Sequence, residues 1–389
     1  MIYYKNDSNI IHKMALYADK YQPASLLSLD YGQAVGKVLH ALAHTDQLPH
    51  LIIEGVRGSG KKTRANLFLQ EKYGTFNTNS VVMHIELPGK TEEKELHVLA
   101  SRYHYQINPN IHNIYDRTLM QAFIDSVVQC EIISSIPYRI IIIEDADLLT
   151  IEAQESLRKT LETYIQTCRF IFLSNREGHI IEPLYSRCVK IDVSSPTEEE
   201  IKGILKQICS AETDTVIPDS IFNDIIKGSQ RDLSRALRYF EKYLIRWKYK
   251  GCSGSFDIRE YDSVYNYCCQ IIDTIIGGTD IVGTMDTVRS YLYELVNYCT
   301  DNKELLPILL NISLTKIPKT CHMERYLLCN MASIRDESIR QSSKSVYHVE
   351  GFCLYVFGVV KTMMEQNSKQ KTMVKKRGTC VPPGGGPPP

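Results

Sequence analysis

No stretch of the chain approaches 18 consecutive apolar residues, so the sequence offers no membrane-spanning helix and no membrane partner is expected. It also lacks any excess of charge, with 45 lysines and arginines against 45 aspartates and glutamates in 389 residues. That excludes a generally basic surface, so any nucleic-acid contact has to be local. The 12 cysteines contain no C-x-x-C pair, and their one close pair is Cys268-Cys269. The usual zinc and redox spacings are therefore missing. The start, Met1 to Asn9, is polar and lacks the pattern of a signal peptide; together these point to reduced thiols in an intracellular protein. What remains, 43% hydrophobic and 23% charged, is ordinary composition for two or three domains with a sizeable core.

The most informative stretch is Leu51-Ile52-Ile53-Glu54-Gly55-Val56-Arg57-Gly58-Ser59-Gly60-Lys61-Lys62-Thr63. An apolar strand-like run enters a loop with glycines at 55, 58 and 60, and Lys61 opens a helix-like segment through Tyr73. Glycines let backbone N–H groups curl around phosphate oxygens, the helix N-terminus adds positive potential, and Lys61 can reach the β/γ-phosphates. The spacing Gly55-x4-Gly60-Lys61 fits a P-loop for ATP or ADP, with Ser59 and Thr63 in the cradle; a glycine-rich surface turn is the alternative. One position departs from the pattern. The hydroxyl expected directly after the lysine, where it would bind Mg²⁺, is replaced by Lys62, and Thr63 comes one residue late.

Around this loop the chain alternates. Val35, Val38, Leu39 and Leu42 mark a helix before it; afterwards Ser80–Leu87 reads as a strand, Glu92–Tyr103 as a helix, Asn108-Pro109-Asn110 as a turn and Leu119–Val128 as a helix ahead of Pro137. Arg139-Ile140-Ile141-Ile142-Ile143 is an apolar run typical of a strand buried on both faces, and it ends in Glu144, Asp145 and Asp147. In P-loop enzymes acids at this tip hold Mg²⁺ and orient the attacking water, although they can also be solvated loop acids. The order Glu144-Asp145 is reversed from the usual Asp-Glu, which shifts carboxylate reach by one methylene. A helix from Ile151 to Glu162 follows, then a strand Arg169–Ser174 with Asn175 at its tip, placed to sense a γ-phosphate or to cap the loop. Ser186-Arg187-Cys188 precedes a strand Val189–Val193. The alternation from 50 to 193 argues for a parallel α/β sheet with the P-loop at its carboxyl edge.

With these motifs in view the chain resembles the small subunits of replication factor C, the eukaryotic-type sliding-clamp loader of the AAA+ class. The resemblance spans residues 17–363 and is carried by Asp19-Lys20-Tyr21-Gln22-Pro23, Pro49-His50-Leu51, Gly60-Lys61-Lys62-Thr63-Arg64, Ala100–His104, the Leu148–Glu162 segment, Ser186-Arg187-Cys188 and Ser343–Glu350. The Gly-Lys-Lys-Thr loop, Leu29-Asp30-Tyr31 and the irregular acid pair are most similar to the subunit placed last in the five-membered arc, whose own site receives no arginine from a neighbour. The resemblance implies an α/β P-loop AAA+ domain (17–194) after a lead-in (1–16), a helical lid (195–250), an all-α collar for oligomerisation (251–365) and a disordered Lys- then Pro/Gly-rich tail (366–389). The apolar helical spacing from Val264 to Met364 suits such a collar, its aromatics reading as core.

The same resemblance assigns roles. Gly55, Gly58, Ser59, Gly60, Lys61, Lys62 and Thr63 would bind ATP or ADP; Glu144 and Thr63 would hold Mg²⁺, and Asp145 would be the catalytic acid. Asn175 would be the first sensor, and Arg187 a finger acting in trans on the adjacent subunit's nucleotide. Arg158 and Lys159, on the helix after the acid strand, would track DNA phosphates, or else lie on a solvated helix face. Two further departures are Gln22 in place of an arginine and Ser234 in place of the second-sensor arginine. Four irregular positions in one site point to binding with little or no turnover. The implied partners are other clamp-loader subunits in a heteropentamer, the sliding clamp and primer–template DNA, in the nucleus, or at a cytoplasmic replication site if the loader is viral. An independently active AAA+ ATPase, perhaps a remodeller, and a scaffold binding neither nucleotide nor DNA are the competing classes.

Overall fold

The computed structural model describes residues 16–45, 47–86, 93–109, 117–129, 138–175, 178–213, 217–250, 256–297, 302–342 and 344–377. The lead-in before residue 16, Pro137, the linker at 251–255 and the Pro/Gly-rich end from 378 lie outside these residues. The chain forms two compact units, one ending at Phe256 and one starting at Asp257.

The first unit runs α1 (Tyr17–Lys20), α2 (Gln33–Ala43), β1 (His50–Glu54), α3 (Lys61–Tyr73), β2 (Asn79–Glu86), β3 (Glu93–Ala100), β4 (His104–Ile107), α4 (Arg117–Gln129), β5 (Arg139–Ile143), α5 (Ile151–Thr163), β6 (Cys168–Ser174), α6 (Glu182–Tyr185) and β7 (Cys188–Asp192). Three helices follow, α7 (Glu198–Glu212), α8 (Asp219–Ser229) and α9 (Leu233–Lys250). The strands make one sheet in the order β2-β3-β4-β5-β6-β1-β7. From β4 to β7 every pairing is parallel, whereas β2–β3 and β3–β4 are antiparallel.

Side-chain alternation explains why the central strands need two covering layers. Ile141 and Ile143 of β5, Phe170 and Phe172 of β6 and Ile52 of β1 pack on one face with Leu119, Phe123, Leu157 and Leu161. Ile140, Ile142, Ile171, Leu51 and Ile53 pack on the other with Leu39, Ala65 and Phe68. A strand buried on both faces has no polar position to spare, hence the unbroken apolar run.

The segment read as a helix from Glu92 is instead the strand β3. Leu96 and Val98 are fully buried while Glu95, His97 and Leu99 between them face outward, a period of two that an antiparallel partner rewards. Its partner β2 pairs with it across eight residues, so no helix crosses over at this end of the sheet. The sheet is consequently mixed rather than parallel throughout. β4 was not anticipated as a strand, being only four residues long, yet it lies directly against the acid-bearing β5.

The start of α7 follows from a capping box: Thr197 Oγ1 accepts from the Glu200 N–H at 3.2 Å, and Glu200 Oε2 accepts from the Thr197 N–H at 2.7 Å. The second unit is all-helical: α10 (Ile258–Tyr261), α11 (Ser263–Gly277), α12 (Ile281–Asn297), α13 (Asn302–Lys316), α14 (His322–Gln341) and α15 (Val346–Arg377). Ile271, Ile272, Val288, Leu292, Leu309, Leu328, Phe352 and Val356 form its core. The helix α15 continues to Arg377, through lysines, glutamines and methionines that favour helix, into the stretch read as tail. Among the described residues no helix is long and apolar enough to cross a membrane.

Candidate nucleotide-binding site

The strand β1 delivers the chain into the loop 55–60, and α3 starts at Lys61. Gly58 and Gly60 both have φ +77°, the left-handed region. A Cβ on Gly58 would fall 2.1 Å from an Asp232 carboxylate oxygen, and one on Gly60 would fall 2.5 Å from the Tyr31 hydroxyl. Conformation and space therefore both demand glycine. Behind the loop lies Arg64, 1% exposed, its guanidinium 4.5 Å from the Tyr31 ring centre. Arg64 donates to the carbonyls of Ser59 (2.9 Å) and Tyr31 (2.8 Å), and the Tyr31 hydroxyl donates to the same Ser59 carbonyl at 2.9 Å. This clamp fixes the loop's backbone. Sequence reading gave Arg64 and Tyr31 no role; the available signal was one arginine set among the apolar positions Ala65, Leu67, Phe68 and Leu69.

Lys61 is 8% exposed and donates back to the carbonyls of Gly55 (2.8 Å) and Val56 (2.9 Å). Burial pushes its ammonium down to about 8, with Asp145, Asp147 and Asp232 pulling the other way. Ser59 is fully buried and its hydroxyl has no hydrogen-bond partner among the described residues. An unsatisfied hydroxyl, two left-handed glycines and a buried lysine at a helix N-terminus are a donor set awaiting an anion, and they fit a nucleotide's phosphates.

The acids all follow β5, beside the end of β4. Glu144 N–H donates to Ile107 at the end of β4, and Asp145 sits at φ +45°. Lys62 forms an ion pair with Glu144, Nζ to Oε1 at 2.9 Å. The same oxygen accepts from the Gln106 amide, while Asn108 Nδ2 donates to Glu144 Oε2 (3.4 Å) and to Asp145 Oδ2 (3.1 Å). Asn175 Nδ2 donates to Asp145 Oδ1 at 2.5 Å, and its backbone N–H donates to Asp147 Oδ1 at 3.0 Å. Asn108, read as turn chemistry, is thus a bridge between the acids. Divalent metal does not fit these residues: an ammonium stands on the carboxylate meant for it. Thr63 is turned about 100° around α3 from the position where a hydroxyl would serve.

The structure brings Gly55, Gly58, Ser59, Gly60, Lys61, Lys62, Glu144, Asp145 and Asn175 together and keeps Arg187 apart from them. Arg187, between α6 and β7, donates to Glu162 Oε1 (Nε 2.7 Å, Nη2 2.6 Å), Pro183 O (2.9 Å) and Ser186 Oγ (3.0 Å). Glu54, 1% exposed and just before Gly55, links the two regions. It accepts from the Tyr185 hydroxyl of α6 and pairs with Lys190 of β7 at 3.1 Å. Arg158 and Lys159 are exposed on α5. Ser234 is exposed near the start of α9 and brings no cation to the loop, where Asp232 approaches instead. The Asp19–Pro23 segment is held on α7, Lys20 Nζ and the Tyr21 hydroxyl meeting Glu212 Oε1 at 2.5 and 2.7 Å.

A parallel run β4-β5-β6-β1-β7 with a P-loop after β1, acids after β5 and an amide after β6 defines a P-loop nucleotide-binding fold of the AAA+ class. The family model "Replication factor C subunit 3, C-terminal domain" matches residues 267–368, and "DNA polymerase III, delta subunit" matches 32–197. Replication factor C subunit 5 of Schizosaccharomyces pombe is 30% identical over 360 residues, covering 90% of this chain and 99% of that one. Replication factor C subunit 3 of Mus musculus is 30% identical over 356 residues, covering 90% and 98%. Among solved structures, the Thermotoga maritima RuvB Holliday junction branch migration motor aligns with TM-score 0.45 and 18% identity over 69% of this chain and 85% of that one. The chain belongs to the replication factor C subunit family.

Proposed function

We propose that this chain is the nucleotide-holding, low-turnover subunit of a heteropentameric sliding-clamp loader acting on primer–template DNA in the nucleus. One observation carries the reading: the acids that would run hydrolysis are taken up by Lys62, Gln106, Asn108 and Asn175, while Arg187 is paired with Glu162 of α5. The loop, with Lys61 at its centre, holds ATP or ADP. The Arg187 guanidinium, planar and permanently charged, serves the nucleotide of the adjacent subunit, where it stabilises transition-state charge. Arg158 and Lys159, on the exposed face of α5, contact the DNA backbone. Residues 17–194 form the nucleotide-binding domain, 195–250 the lid and 251–365 the collar through which subunits associate.

Steady-state ATPase and a fluorescent-nucleotide titration of the isolated chain test this together. The expected result is saturable binding, weakened by Lys61→Ala, with little or no turnover. Robust turnover by the chain alone, abolished by Asp145→Asn, would instead make it an independently active ATPase.

A further inference from the structure

We infer that this site takes its nucleoside di- or triphosphate without a divalent metal, the Lys62 ammonium occupying the metal's place between Glu144 and the phosphates. The inference rests on the reading that the loop binds nucleotide. Mg²⁺ demands near-octahedral oxygen ligands at about 2.0–2.1 Å and, in a P-loop site, takes them from a carboxylate, the hydroxyl after the loop lysine, phosphate oxygens and water. Here the hydroxyl position is Lys62 itself. Its Nζ lies 2.9 Å from Glu144 Oε1, an oxygen that also accepts from Gln106, while Oε2 accepts from Asn108. Both oxygens of Asp145 are likewise in use, by Asn108 and Asn175. Lys62, Gln106, Asn108 and Asn175 all meet this pair of acids through N–H groups. A dication entering here would have to displace them and meet a like charge at close range.

The replacement also supplies what the metal would have given. Lys62 is the second residue of α3, so its chain leaves the same helix N-terminus that faces the phosphates, and it brings a second cation beside Lys61. A compact ammonium with three donors can bridge a carboxylate and a phosphate oxygen. What it lacks is the ability to hold a water and a phosphate in fixed octahedral relation, which accords with a site that holds nucleotide without spending it.

The test is a titration of the full chain with N-methylanthraniloyl-ADP in Mg²⁺ and again in EDTA. Wild-type affinity should agree between the two buffers to within about twofold, and Lys62→Arg, which keeps the cation, should behave the same way. Lys62→Ser restores the hydroxyl and removes the ammonium. Its affinity should fall about tenfold or more in EDTA and recover with Mg²⁺. A wild-type chain that loses tenfold in EDTA, or a Lys62→Ser chain indifferent to EDTA, would overturn the inference and leave nucleotide binding standing. Absence of saturable fluorescence in either buffer, with Lys61→Ala indistinguishable from wild type, would remove the nucleotide reading and this inference with it.

Discussion

The nucleotide loop and the arginine edge share one sheet and are joined through buried Glu54, yet they are built in opposite ways. At the loop Arg64 is buried against Ser59 and Tyr31, and Asn108 and Asn175 hold Glu144 and Asp145 beside Lys62, whose side chain is 53% exposed. At the edge, Arg187 is two-thirds covered and its acid partner Glu162 is 57% exposed. An ion pair that open to solvent is worth about 0–1 kcal/mol, so releasing the guanidinium to a neighbour costs little. The contrast is between a loop backbone clamped by a buried arginine and an edge arginine held by a solvent-open ion pair.

The largest expected effect comes from breaking the rigid side. Arg64→Ala deletes charge-assisted bonds to the carbonyls of Ser59, Gly60 and Tyr31 and opens a cavity under the loop, and should cost about 3–5 kcal/mol in urea unfolding of the first unit. Tyr31→Phe removes the hydroxyl bond to Ser59 and should cost about 1 kcal/mol. Equal, small losses in both variants would mean that the clamp does not set the loop.

Much of this fold was legible because its strongest signals are local. Unbroken apolar runs at Ile140–Ile143 and Phe170–Leu173 announce central strands, and the loop's glycines sit at the spacing that phosphates need. The strand β3 was misread because Glu93-Lys94-Glu95-Leu96 has good local helix propensity, and only pairing with β2 makes its alternation decisive. The Lys62–Glu144 pair and the Asn108 bridge were out of reach for another reason. Their partners lie tens of residues apart in sequence; Asn108 meets the acids only once β4 and β5 pair, and Lys62 only once β1, β6 and β5 lie in one sheet, so spacing could flag the odd residues but not join them.

A smaller effect sharpens the loop side of the comparison through pH. Free Lys61 titrates near 8, and a bound phosphate raises that value by adding negative charge beside it. Below pH 8 the lysine is protonated with or without nucleotide, and affinity should be flat. Above it, binding must draw in a proton, so affinity should fall as pH rises, by up to about tenfold per unit, until the bound-state value is passed. Lys61→Arg should flatten the profile, since arginine does not titrate there. An unchanged slope in that variant would place the titrating group elsewhere.

Smaller still is the exposed pair on α5. A double Arg158→Ala/Lys159→Ala chain in the assembled complex should weaken DNA binding alike for all templates and lower the salt slope by about one to two. Normal DNA affinity at every salt concentration would return these residues to a solvated helix face.

The central claim, that this chain keeps its nucleotide and lends its arginine, is tested most directly by comparing two variants of the assembled complex, Arg187→Ala and Asp145→Asn. The measurement is DNA- and clamp-stimulated ATPase, with incorporation verified by native mass. The account predicts that Asp145→Asn leaves stimulated turnover within about twofold, while Arg187→Ala removes the turnover of the site it serves, where such fingers are worth about 10³–10⁵ in rate. Full stimulation with Arg187→Ala incorporated, or a collapse caused by Asp145→Asn alone, would contradict it.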